Sequence, residues 1–186
     1  MIISITGAIG SGKSTIGKLL AAEIGWPRYN MGDIWREMAR QKGLTLAELQ
    51  KLSETELKTD HEIDEYVKQL GLSKDNFIIE GRMAWHFIPL STKIYLDVSE
   101  EEAARRIFSE LQTRNESKED KKLETYDDVL CSIRDRKKRD IFRYQKYYNI
   151  NPFGHNNYDL IIDTTNLNIN EVYAKAYEFL KNKLEN

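Results

Sequence analysis

Ile2-Ile3-Ser4-Ile5-Thr6-Gly7-Ala8-Ile9-Gly10-Ser11-Gly12-Lys13-Ser14-Thr15 decides the fold. Ile2, Ile3 and Ile5 make a β-branched run too apolar for a half-wet strand, which predicts a strand covered on both faces. Beyond the glycines, apolar residues recur at Ile16, Leu19, Leu20 and Ile24 with helical spacing, and Gly25 supplies a stop. Between strand and helix, Gly7 to Ser14 fits G-x-x-x-x-G-K-S. Glycines let the backbone curl until several N–H groups face one phosphate chain, and a helix N-terminus adds favourable partial charge. Gly7, Ala8, Ile9, Gly10, Ser11, Gly12, Lys13, Ser14 and Thr15 are therefore expected to cradle a nucleotide's phosphates. Lys13 would reach the β- and γ-phosphates, and the Ser14 hydroxyl would ligate Mg²⁺. The G-x-G-x-x-G spacing of a dinucleotide site is not present in this loop.

Three later segments repeat the buried-strand signature: Phe77-Ile78-Ile79, Ile94-Tyr95-Leu96 and Leu160-Ile161-Ile162, each followed by an acidic residue (Glu80, Asp97, Asp163). A shorter candidate surrounds Tyr29. Helical patterns lie between them, with start signals at Thr45 and Glu48, Ser99 and Glu102, and Asn168 and Glu171. Alternating strands and helices imply right-handed crossovers, a parallel sheet with helices on both faces, and ligands at the carboxyl ends of the strands. Residues 31–75 are polar and helix-prone, too long for a simple connection, and 112–125 are almost wholly hydrophilic.

Composition narrows the function classes. Among 186 residues, 28 basic against 30 acidic side chains give a net charge of −2, without the basic excess of a protein that binds polymeric nucleic acid. Cys131 is the single cysteine, so no intrachain disulfide forms. No long apolar run and no basic, apolar leader is evident, so a cytoplasmic chain away from membranes is expected, and a monomer.

A phosphate-binding loop alone serves many activities. The N-K-x-D segment with which GTPases read guanine does not occur. Instead, Met31-Gly32-Asp33-Ile34-Trp35-Arg36 follows the second strand and Glu80-Gly81-Arg82 the third. Both stand where strand ends face the loop, so Arg36 and Arg82 can converge on a second phosphate group, which a guanidinium fork grips bidentately. Residues 132–146 form a dense basic helix with Arg136, Arg139 and Arg143 on one face. Trp35 and Trp85 are candidates to stack on a base, while His61, His86 and His155 read as surface or structural. Tyr147, Tyr148 and Phe153 read as docking the basic helix against the core.

The stretches ISITGAIGSGKSTIGKLLA (3–21), GDIWREMARQKGLTLAELQKL (32–52), HEIDEY (61–66), FIIEGRMAW (77–85) and YDLIIDTT (158–165) resemble the nucleoside monophosphate kinases, most of all the archaeal-type (short) cytidylate kinases. The resemblance implies an α/β P-loop kinase fold with a five-stranded parallel sheet (core 1–30, 76–111 and 126–186), an acceptor-binding insert (31–75) and a lid (112–125). It implies Mg²⁺-dependent transfer of the γ-phosphoryl group of ATP to a nucleoside monophosphate, with CMP or dCMP favoured. Carried over by motif, Arg36 and Arg82 would hold the acceptor phosphate, and Asp33 and Glu80 would orient waters on Mg²⁺. Arg136 and Arg143 would contact phosphates from the basic helix, and Arg106 and Arg114 from the helix and edge before the lid. Thr125 stands where the wider family has an arginine, and Glu65-Tyr66 where short cytidylate kinases carry arginines. Two alternatives stay open: a kinase of the same fold for AMP, a nucleoside, dephospho-coenzyme A or shikimate, and a regulator that binds ATP without transferring phosphate.

Overall fold

The computed structural model describes residues 1–46, 48, 49, 52, 57–111 and 123–184. Five strands, β1 (Ile2–Gly7), β2 (Arg28–Asn30), β3 (Phe77–Glu80), β4 (Thr92–Asp97) and β5 (Leu160–Asp163), pair in parallel in the order β2-β3-β1-β4-β5. The strand reading around Tyr29 and the acidic strand ends at Glu80, Asp97 and Asp163 match these elements. Because β1 has β3 on one side and β4 on the other, the chain reverses its direction of winding at β1. The crevice that binds ligands in such sheets opens there, at the carboxyl ends.

The alternation of side chains along each strand divides the core. Ile3, Ile5, Ile78, Ile94 and Leu96 pack with α1 (Lys13–Ile24) and the last helix, whose Val172, Ala176 and Leu180 face the sheet. Phe77 and Ile79 point the other way, onto Val67, Leu70, Ala84 and Ile88. All seven of these strand residues are fully buried, which is why their runs read as continuously apolar. At the centre, Gly7 has φ 153° and an added Cβ would lie 2.1 Å from the Leu96 carbonyl oxygen, so only glycine permits β1 to end against β4.

Further helices among the described residues include α2 (Met31–Gln41), α3 (Leu57–Ser73), the short α4 (Ala84–Phe87), α5 (Glu100–Ser109), α6 (Tyr126–Tyr148) and α7 (Ile169–Leu184). Among the described residues, no helix is long and apolar enough to cross a membrane. The insert 31–75 contains α2 and α3, whereas 112–122 of the expected lid, Arg114 among them, lie outside the described residues. The basic helix is longer than its charge pattern suggested, 23 residues, because Thr125 opens it with a full capping box to Asp128. Thr45 with Glu48 and Asn168 with Glu171 also bond reciprocally. Ser99 accepts from the Glu102 amide, but the Glu102 carboxylate turns away to Arg105 and Arg106, where three charge-assisted bonds of 2.7 Å outcompete one backbone amide.

Candidate phosphoryl-transfer site

The loop after β1 is bent by positive φ at Gly10 (77°) and Gly12 (85°) and fastened by Ala8 N–H to the Leu96 carbonyl at 2.9 Å. Gly12 caps α1 with backbone alone, so the first turn of the helix presents its amides without a competing side chain. The Lys13 ammonium folds back over the loop and donates to the carbonyls of Gly7 (3.1 Å) and Ala8 (2.5 Å). Burial, with Arg82 and Arg136 nearby, pushes its pKa down to about 7, against the pull of Glu80 and Asp140. A phosphate chain bound in the loop would supply the missing counter-charge. ATP binding at pH 8 should therefore take up protons, and affinity should fall between pH 7 and 9; calorimetry in buffers of different ionisation enthalpy reads the uptake, and its absence would mean that Lys13 is already charged in the empty site.

Next to the loop, Asn30 donates to Ser14 Oγ (3.1 Å) and to Glu80 Oε2 (2.7 Å), while its own side-chain oxygen caps α2 through the Gly32 amide. Arg28 stands 3.0 Å from Glu80 Oε1. Burial pushes the Glu80 carboxyl up from its ordinary value, and Arg28, Ser14, Lys13 and Asn30 pull it down. Glu80 reaches Ser14 only because α1 carries Gly17 there, where an added Cβ would lie 2.1 Å from Glu80 Oε1. A hydroxyl and a buried carboxylate with an oxygen that accepts no hydrogen bond form a hard oxygen donor pair suited to Mg²⁺. Among the described residues no three or more His, Cys, Asp or Glu side chains gather as a metal cluster. Asp33 is exposed, paired with Arg36, and does not line the cleft.

Arg82 leaves β3 on a loop fixed by Thr6 Oγ1 to the Gly81 carbonyl (2.8 Å) and by the Trp85 indole to its own carbonyl (3.0 Å). Its Nε pairs with Asp140 of α6. Arg143, one turn on, approaches the same carboxylate at 3.5 Å, bonds the Tyr144 hydroxyl at 2.8 Å and lies over the Trp35 ring. On the far side, Arg106 donates to Glu102 and to the Thr164 hydroxyl and carbonyl.

These groups share one cleft of about 1040 Å³. Of the sequence-predicted residues, Ile9 to Thr15, Arg36, Glu80, Arg82, Arg136 and Arg143 line it, together with Arg105, Arg106 and Arg139. Gly7 and Ala8 lie behind the loop and offer their carbonyls to Lys13. Eight basic side chains face four acidic ones there, a local charge of +4 in a chain of −2. Trp35 lines the cleft, whereas Trp85 is buried against Tyr158. Asn30, Asp140, Glu102 and the loop from Thr164 to Asn168 were not read from the sequence as site residues: each is an ordinary polar residue or helix-start signal until the fold sets it in the cleft.

The cytidylate kinase-like family model matches residues 2–166. A cytidylate kinase of Methanothrix thermoacetophila is 37% identical over 164 residues, 88% of this chain and 88% of that protein. An S-adenosylmethionine-dependent nucleotide dehydratase of Lacinutrix mariniflava is 34% identical over 171 residues, 91% of this chain but only 34% of that longer protein. In fold, a shikimate kinase of Bacteroides thetaiotaomicron superposes with TM-score 0.61 at 16% identity, covering 100% of this chain and 99% of that one. The phosphate loop, the arginine-lined cleft and the family match agree, and the chain belongs to the cytidylate kinase-like family of P-loop kinases.

Proposed function

We propose that this protein transfers the γ-phosphoryl group of ATP to a nucleoside monophosphate, with CMP or dCMP the preferred acceptor. The observation that carries the reading is the gathering of Arg36, Arg82, Arg136 and Arg143, from α2, the β3 exit and α6, in one cleft with Lys13. A donor triphosphate and an acceptor phosphate meeting end to end need that many cations, and a neutral acceptor would leave several without employment. The family match and the cytidylate kinase relatives support cytidylate as acceptor.

In this reading residues 31–75 bind the acceptor, 112–125 act as the lid, and the rest is the core. The acceptor phosphate is the nucleophile and is already ionised near neutral pH, so no general base is required of the protein. Its work is positioning and charge: the loop amides and Lys13 hold the donor phosphates, Arg36 and Arg82 hold the acceptor phosphate, and Arg136 and Arg143 close on the cleft from α6. Ser14 and Glu80 would hold Mg²⁺, which neutralises phosphate charge when bound, while Asp33, outside the cleft, would act through its ion pair with Arg36. Arg106 and the 164–168 loop, joined through Thr164, also line the cleft, and the donor nucleoside would rest against them; Arg114 would reach its phosphates.

The test is ADP formation from ATP and Mg²⁺ against a panel of nucleoside monophosphates, nucleosides and small metabolites. A preference of about tenfold or more for CMP or dCMP is expected; tight ATP binding with silence across the panel would leave a regulator instead. Arg36→Ala should raise the acceptor KM by about tenfold while the ATP KM moves little, since only one phosphate loses its fork. Unaltered acceptor kinetics would take Arg36 out of the clamp.

A further inference from the structure

Beyond the cleft, the turn after α6 approaches Arg82 from behind. The helix ends at Asn149, left-handed at φ 56°, and the chain folds back through Asn151, whose side chain accepts from the Phe153 amide (3.0 Å) and whose carbonyl accepts from Gly154 (3.1 Å). His155 Nε2 stands 3.2 Å from Asp97 Oδ2 at the end of β4, and the Tyr158 hydroxyl donates to the Pro152 carbonyl at 3.3 Å. A turn tied to the end of β4 through His155 and closed on itself through Tyr158 delivers one ring: Phe153 lies with its centroid 5.2 Å from the Arg82 guanidinium carbon.

Phe153 is not there as core packing. It belongs to none of the buried apolar clusters, is only half-buried, and borders a cavity of about 140 Å³ behind the phosphate loop. What it contacts is the cation. Arg82 is then held on three sides: the Asp140 carboxylate forms an ion pair with Nε, the Gly7 carbonyl lies 3.5 Å from Nη1, and the guanidinium carbon sits over the Phe153 ring. Among the described residues nothing accepts a hydrogen bond from Nη2, so that nitrogen is left for a ligand in the cleft that Arg82 lines. A carboxylate constrains a guanidinium within its plane, whereas an aromatic face restrains its tilt. Together they fix the direction of the remaining donor.

We propose that Phe153 is a positioning residue for phosphoryl transfer, a clasp that holds the Arg82 guanidinium flat so that Nη2 meets the phosphate. The inference rests on the proposed transfer reaction, and its test separates the two. In the full-length protein the Arg82 Nε–Hε resonance, assigned through Arg82→Lys, should lie upfield of the other arginines because the ring lies over it. Phe153→Leu, which keeps bulk without an aromatic face, should move it back, and Phe153→Tyr should not. In steady-state assays with ATP, Mg²⁺ and the acceptor found above, Phe153→Leu and Phe153→Ala should each lower kcat about tenfold with the ATP KM within about threefold, and Phe153→Tyr should restore it. An ordinary Arg82 resonance in the parent, or full kcat in Phe153→Leu, overturns the clasp. A parent that phosphorylates no acceptor overturns the transfer reading instead, and the resonance still decides whether the ring holds the guanidinium.

Discussion

Exchanging Lys13 for methionine should lower kcat by about a thousandfold or more while the ligand-free protein melts no lower than the parent. The first half follows from the ammonium's place over the loop, 3.1 and 2.5 Å from the Gly7 and Ala8 carbonyls, where donor phosphates would replace those acceptors. The second follows from its pKa of about 7 against an ordinary 10.5. Between those values the unfolded chain binds more protons than the folded one, so the Lys13 contribution to stability rises as pH climbs through that window and is least favourable below pH 7. Methionine, similar in length and uncharged, escapes the penalty. The difference in melting temperature should therefore be largest at or below pH 7 and fade toward pH 10. Turnover within a few-fold of the parent would remove Lys13 from the chemistry, and a variant that melts lower at pH 6 would show that its bonds to the loop outweigh its charge.

The largest structural effect is expected from Gly7→Ala. Gly7 pairs with Leu96 in the β1–β4 register, and the new methyl would stand 2.1 Å from a backbone oxygen that already accepts the Ala8 amide. Neither partner can rotate away, because both belong to the middle of the sheet. Backbone strain and overpacking together should cost about 3 kcal/mol or more, a fall of roughly 6–12 °C in melting temperature for a chain of this size. Gly25→Ala is the natural control: φ is also positive, at 75°, but nothing lies within 4 Å of its added Cβ. Equal melting of the two variants would mean that β1 can withdraw from β4.

How much of this the sequence disclosed depends on the range of the interaction. The phosphate loop is a local object: glycine spacing, the preceding isoleucines and the following helix lie within two dozen residues, so strand, loop, helix and cradle were legible together. Strands covered on both faces, β1, β3 and β4, announce themselves as apolar runs, whereas the edge strand β2, Arg-Tyr-Asn, showed only as a short candidate around Tyr29. Arginines after β2 and β3 could be assigned to the cleft because strand ends converge in any parallel sheet. The acids that aim those arginines were not legible. Asp140 stands within a basic helix with Arg143 one turn away, yet it also crosses to Arg82, 58 positions earlier in the chain. Thr125 read as a departure from a family pattern, and locally it is a helix cap. Phe153 read as a dock for α6, whereas its ring meets a cation from another segment. In each case the partner is distant in sequence, and residue type alone does not say which of several acids or rings a guanidinium will choose.

The cleft also makes this chain a poor match for its own isoelectric point. Eight cations gathered around one opening leave the remaining surface more acidic than the whole, so the molecule carries a charge dipole pointing out of its mouth. Matrices bearing phosphate or sulfonate groups should retain it from the front and anion exchangers from the back, and free polyphosphates in a buffer would be competitors rather than bystanders.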